Sequence, residues 1–140
     1  MTRLIFVNLP VADLARAIAF YEALGARKEP RFSDDTAACM VLSEVIHVML
    51  LTHDKFRQFT PRPVADARAA TEVLLALSAE SREAVDRMTE RAAAAGGRAD
   101  PAPRQEHSFM YGRSFEDPDG HIWEAAWMDM AAVEAARPAG

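Results

Sequence analysis

The run LIFVNLPV, residues 4–11, is rich in β-branched and apolar side chains, and its alternation predicts a strand with Ile5, Val7, Leu9 and Val11 on one face. The period then changes. In LARAIAFYEALG, residues 14–25, Leu14, Ala17, Ile18, Tyr21 and Leu24 recur at spacings of three and four, the stripe of an amphipathic helix. Asp13 stands where a side-chain oxygen caps that helix, and Gly25 supplies its stop. Strand material follows at about 26–32, at TAACMVL (36–42) and, after a turn at Ser43-Glu44, at VIHVMLLT (45–52).

The same order returns further along. VLLALS (73–78) predicts a strand, and Glu80 or Ser81 opens a helix whose apolar face is Ala84, Val85, Met88, Ala92 and Ala95. Gly96 and Gly97 end it. Strands are then expected at about 97–103, at SFMYGRSF (108–115) and at HIWEAAWM (121–128), the last two joined by DPDG. Pro118 fixes φ in that turn, and Gly120 permits a positive φ. Each half therefore reads β-α-β-β-β, and element order and stop signals match between the halves. The modules cover about 3–52 and 72–128, inside one domain. Residues 53–71 link them through a short helix around 54–59 and a Pro-Arg-Pro loop, and the tail 129–140 is alanine-rich and helical before RPAG. One helix covers one sheet face, yet VIHVMLLT and HIWEAAWM are apolar on both. The uncovered faces must meet something, and two curved sheets side by side would enclose a cleft.

Composition narrows the partners. A chain of 140 residues buries a sufficient core without a disulfide or structural metal. The single cysteine, Cys39, lies in the apolar run AACMVL and reads as a small buried hydrophobe; a reducing cytoplasm is the default location. With 21 acidic and 16 basic residues the net charge is -5, which argues against a nucleic-acid partner. No apolar run reaches the roughly 18 residues of a membrane span. There is no Gly-rich phosphate loop with its lysine, no G-x-S-x-G elbow, no H-E-x-x-H pair and no CxxC pair.

Two stretches, VNLPVADLARAIAFYEALG near the start and FEDPDGHIWEAAW near the end, resemble the vicinal oxygen chelate superfamily, which includes glyoxalase I, bleomycin-resistance proteins, fosfomycin-resistance enzymes and extradiol dioxygenases. The resemblance covers residues 3–128. It implies an α+β fold in which paired βαβββ modules form an open, cup-shaped mixed sheet with flanking helices around a divalent metal. It also implies a homodimer, sometimes with modules exchanged between chains. The family's late-strand carboxylate falls on Glu124, and the late strand of the first module offers His47. The opening-strand ligand positions fall near Phe6 and on Val73 or Leu74, none of which can coordinate a metal. Asn8 and Glu72 would contribute only if the register slipped, and a one-residue slip turns a side chain to the opposite face. Two protein ligands leave most of a site to water, so tight binding of nickel, zinc, manganese or iron is not expected.

Glu124 poses the central question, because it interrupts an apolar, aromatic strand. A metal ligand, a metal-free catalytic acid or base, and a paired structural acid all remain open. His47 is a ligand, a base or a core histidine. Asn8 and Phe6, on one face, together with Met49, Tyr111 and Arg113, are the candidate ligand-binding residues; Arg113 would hold an anionic group. His53, His107 and His121 are further imidazoles, with His121 on the face opposite Glu124. Trp123 and Trp127 share that opposite face and are expected against the second helix. Three functions compete: a small-molecule-binding protein with an incomplete metal-ligand set; a metal-dependent lyase or isomerase of the lactoylglutathione-lyase type, or a dioxygenase, using Glu124 and His47; and a structural or regulatory protein without a specific ligand.

Overall fold

The structure is a computed structural model that describes residues 1–136. Strand β1 (Ile5–Val11) runs into helix α1 (Leu14–Ala23), where the Asp13 carboxylate accepts the Arg16 N–H at 3.0 Å. Strands β2 (Arg27–Glu29), β3 (Ala37–Val41) and β4 (Ile46–Thr52) complete the first module in the order β1-β4-β3-β2. β1 lies parallel to β4, and the other pairs are antiparallel. After helix α2 (His53–Arg57) and a long loop, β5 (Leu75–Ser78) and helix α3 (Arg82–Ala94) repeat the plan. Ser81 caps α3 through the Ala84 N–H. Strands β6 (Arg98–Ala99), β7 (Gln105–His107), β8 (Met110–Glu116) and β9 (Ile122–Met128) follow. The second sheet runs β5-β9-β8-β6, with β7 pairing β8 further along and β5 parallel to β9. The architecture is thus α+β, two open mixed sheets with flanking helices.

Two expected strands are shorter, for a local reason. Pro30 has no N–H to give the ladder, so β2 ends at Glu29 and the chain enters a 3-10 turn, Pro30–Phe32. Asp100 sits at φ 55° between β6 and Pro101, which stops β6 after two residues until pairing resumes at Gln105. Beyond β9, Asp129 caps helix α4 (Met130–Ala135), as the alanine-rich tail suggested; its last four residues, 137–140, lie outside the described residues.

Alternation along the strands separates a covered face from an open one. Leu9, Val11, Met40, Val48 and Leu50 pack under α1 against Ala17, Phe20 and Tyr21, while Tyr111, Phe115, Trp123 and Ala125 share the core with Val85 and Ala92 of α3. The two modules meet there: Phe20 reaches Phe115 (ring centroids 6.4 Å) and Tyr21 meets Trp123 edge-on (6.0 Å). Gly97 lets α3 approach β8, since a Cβ there would stand 2.1 Å from the Glu116 carbonyl oxygen. The opposite faces carry Phe6, Asn8, His47 and Met49 on one sheet, and Ala76, Ser114 and Glu124 on the other.

The DPDG turn does more than reverse the chain. Asp117 is 3% exposed and accepts from the Asp119 and His121 N–H groups (both 2.9 Å) and from the Tyr21 hydroxyl (2.7 Å). The Trp123 indole donates to that same hydroxyl at 3.0 Å. Asp119 accepts the Ala12 N–H at 2.9 Å and lies 3.4 Å from Arg16. His121 donates Nε2–H to the Pro10 carbonyl, 2.8 Å away. From the linker, Arg68 donates to the Pro118 carbonyl, and its Cγ would lie 2.7 Å from a Cβ at Gly120. One turn therefore fastens the first module, the linker and β9 together.

Candidate functional site

Between the end of β1 and the start of β5 and β9 lies a cleft of about 470 Å³. Asn8, Leu9 and Pro10 form one wall, and Leu75, His121 and Ile122 form the other. Phe56 of α2 and the loop that follows it, with Thr60, Pro63 and Ala67, roof the cleft. Arg62, Glu72 and Val73 also line it, and among the described residues no ion pair engages Arg62 or Glu72. This is the size and character of a small-molecule site: apolar walls with a few polar handles. The loop residues carry no periodicity, so sequence pattern did not single out Arg62 or the roof. The Pro-Arg-Pro punctuation was the available signal.

The remaining candidates separate. Phe6 pairs with His47 in register, and their rings stack at 4.6 Å with planes 21° apart. His47 Nδ1 is buried and has no hydrogen-bond partner among the described residues. Met49 pairs with Asn8 on the same face. Glu124 stands between Ala76 and Ser114 on the open face of the second sheet, half-buried and, among the described residues, without a hydrogen bond or ion pair to hold it. It is therefore not surrounded by the strand's aromatic residues, because Trp123 and Trp127 turn to the helix side. Trp127 there lies under the Arg82 guanidinium, 5.0 Å from its ring centroid. Neither His47 nor Glu124 lines the cleft.

Arg113 and Tyr111 lie apart from the cleft. Register places Arg113 opposite Ala125 and Tyr111 opposite Trp127, on the covered face. Arg113 is 6% exposed and bidentate to Asp100 (3.0 and 2.7 Å), with a further bond of 2.9 Å to Asp86 on α3. The Tyr111 hydroxyl donates to Asp86 at 2.6 Å. The hydrogen bonds from Arg113 hold Asp100 below its ordinary range, while Tyr111, then Arg113, lower Asp86; Asp100 in turn raises Arg113. These groups are committed to one another. Burial likewise pushes the Cys39 thiol up, with Glu29 adding to it, as suits an unreactive cysteine.

The residues present do not fit the divalent metal that the resemblance implies. Phe6 stacks on His47 where a ligand would stand. The open-face position opposite Glu124 is Ala76, with Leu74 one step earlier; Val73 falls on the other parity and lines the cleft instead. Val73, Leu74, Ala76 and Phe6 offer no donor atom. Among the described residues no group of three or more His, Cys, Asp or Glu side chains is arranged to hold a metal ion. Glu72 is at the cleft, away from Glu124's strand pair, so it does not complete a set. His53 opens α2, and His107 stacks on Phe109 at 5.6 Å, both apart from Glu124.

Comparison with known proteins bears on the same fold. The sequence model of the Glyoxalase/Bleomycin resistance protein/Dioxygenase superfamily matches residues 3–125. A glyoxalase/bleomycin resistance protein/dioxygenase family enzyme from Burkholderia phytofirmans PsJN superposes with a TM-score of 0.73 at 20% identity, covering 91% of this chain and 99% of that one. A domain of the same description from Frankia sp. EAN1pec gives 0.66 at 28% identity, covering 91% and 93%. The fosfomycin resistance protein FosX from Mesorhizobium loti gives 0.67 at 17% identity, covering 96% and 98%. No curated protein sequence matches the chain.

Proposed function

The chain belongs to the Glyoxalase/Bleomycin resistance protein/Dioxygenase superfamily, and from that premise we propose that it binds a small organic molecule in the inter-module cleft without the aid of a metal ion. The observation that carries this reading is the cleft itself, walled by both modules and roofed by the linker. Asn8 offers an amide, Arg62 a cation, Glu72 an anion and His121 its second ring nitrogen. Such handles orient a ligand whose bulk rests on Leu9, Pro10, Phe56 and Ile122. A lyase, isomerase or dioxygenase reading would enlist Glu124 and His47. Their side-chain polar atoms find no hydrogen-bond partner among the described residues, which favours a role at an open face, yet together they supply one carboxylate and one imidazole. Screening chelator-treated protein by thermal shift tests the proposal. Hits should raise the melting temperature without added metal, by mass action on the folded state.

We also propose a homodimer. β1 and β5 are sheet edges, and beside them Leu4, Ile5 and Phe6 are 44, 55 and 48% exposed, with Val73 and Leu74 at 56 and 57%. Unpaired edges flanked by apolar side chains invite strand addition unless covered. A second copy would cover each β1 with a β5 and set the open faces around a shared cup. Sedimentation velocity should give a dimer for the native chain and a monomer for Ile5→Arg/Leu74→Arg. A native chain that sediments as a monomer at all concentrations sinks this proposal. Among the described residues no helix is long and apolar enough to cross a membrane. A single buried thiol suits the reducing cytoplasm, where we place the protein.

A further inference from the structure

A second cavity, of about 280 Å³, opens on the helix-bearing side of the molecule, at the seam between modules. Tyr21, Phe115 and Trp123 form its floor, each no more than 2% exposed. Leu24, Leu42 and Ile46 come from the first module, and Leu77 and Met88 from the second. The polar atoms of the floor are already spent on one another: the indole donates to the Tyr21 hydroxyl, which donates to Asp117. Ser43 and Ser78, both exposed, complete the lining at its rim. Ser43 Oγ accepts from the Val45 and Ile46 N–H groups at 3.3 and 3.2 Å and keeps its own proton to donate.

From these features we infer that the seam cavity is a separate binding site for a small uncharged molecule, of single-ring size, carrying an oxygen acceptor at its outer end. Among the described residues no Asp, Glu, Lys, Arg or His lines it. A charged ligand would therefore lose its hydration there with no partner in return, whereas an apolar ring replaces water against leucine, methionine and aromatic walls. Size agrees: a cavity of about 150 Å³ lined by apolar side chains suffices for benzene, so this one admits a ring with a short substituent. The inter-module cleft, with Arg62, Glu72 and His121, selects the opposite chemistry. Because both modules line the cavity, its occupant also braces the seam and raises the stability of the whole chain.

The probe is 4-fluorophenol, neutral at neutral pH, followed by fluorine NMR on the full chain. Saturable binding is expected, weakened about ten-fold or more by Met88→Trp or Leu24→Trp, which fill the cavity. Ile122→Trp, which fills the cleft instead, should leave the affinity within about two-fold. Amide spectra of each variant establish that it is folded, and Ser43→Ala serves as a milder change, expected to weaken binding about three- to five-fold through the lost donor. Absence of saturable binding to the native chain overturns the inference. So does binding that survives the filled seam, or that disappears only in Ile122→Trp.

Discussion

Asp117→Ala should lose about 3–5 kcal/mol of unfolding free energy in urea, the largest loss expected from any single substitution outside the apolar core. Removing the carboxylate leaves three donors without an acceptor: the N–H groups of Asp119 and His121, and the Tyr21 hydroxyl. All lie in the seam where Tyr21, Trp123 and the turn meet, so solvent cannot restore the bonds without opening it. Asp117→Asn keeps an oxygen for the two backbone donors and should lose only about 1–2 kcal/mol. The pH dependence has a definite sign. Burial raises the Asp117 carboxyl above its ordinary value, with the Asp119 charge adding to it, so the folded state holds that proton to higher pH than the unfolded chain. Its contribution to stability therefore falls as pH rises from the unfolded value of about 3.8 through the raised folded one. Asp117→Asn should flatten that part of the stability profile.

Arg113→Ala should destabilise by about 2–3 kcal/mol while leaving cleft binding unchanged. The substitution strands Asp100 and Asp86 and removes the link from β8 to α3 and to the loop after β6. The loss falls short of that for a fully buried pair, because the side chains of Asp86 and Asp100 are 42 and 28% exposed and water can take over part of the solvation. Both carboxyls are depressed in the folded protein, so this cluster's contribution is complete above their unfolded value and is lost as pH falls through the depressed ones. The gap between native and Arg113→Ala stability should accordingly narrow on acidification. An Arg113→Ala protein of native stability that fails to bind a cleft ligand would return Arg113 to the site.

These two clusters mark where sequence reading stops. Periodicity located the strands and helices, because the pattern of Leu14 to Leu24 and the alternation of β1 are local consequences of burial. DPDG was legible as a turn, since Pro118 and Gly120 act on their own backbone. That Asp117 reaches Tyr21, 96 positions away, is tertiary information with no local signature. Arg113 was nearer to being legible. Tyr111, Arg113 and Phe115 alternate onto one face, and Asp86 and Glu90 are one turn apart on a helix; only the strand register showed that these surfaces meet. Pro30, which shortens β2, was visible, and its consequence for pairing follows from the missing N–H, whereas the positive φ of Asp100 that stops β6 had no signal of its own. Strand alternation already set Glu124 on the face opposite Trp123 and Trp127, and only its pairing with Ala76 and Ser114 shows that this face is open.

If the cleft holds an organic ligand by its own side chains, ligand-observed NMR will show it. A small-molecule library would be run against chelator-treated native protein and against Ile122→Trp. Binders to the metal-free native chain are expected, lost from Ile122→Trp and retained by Glu124→Gln, since Glu124 does not line the cleft. Binding that appears only when nickel, zinc, manganese or iron is restored, and that Glu124→Gln abolishes, would contradict it.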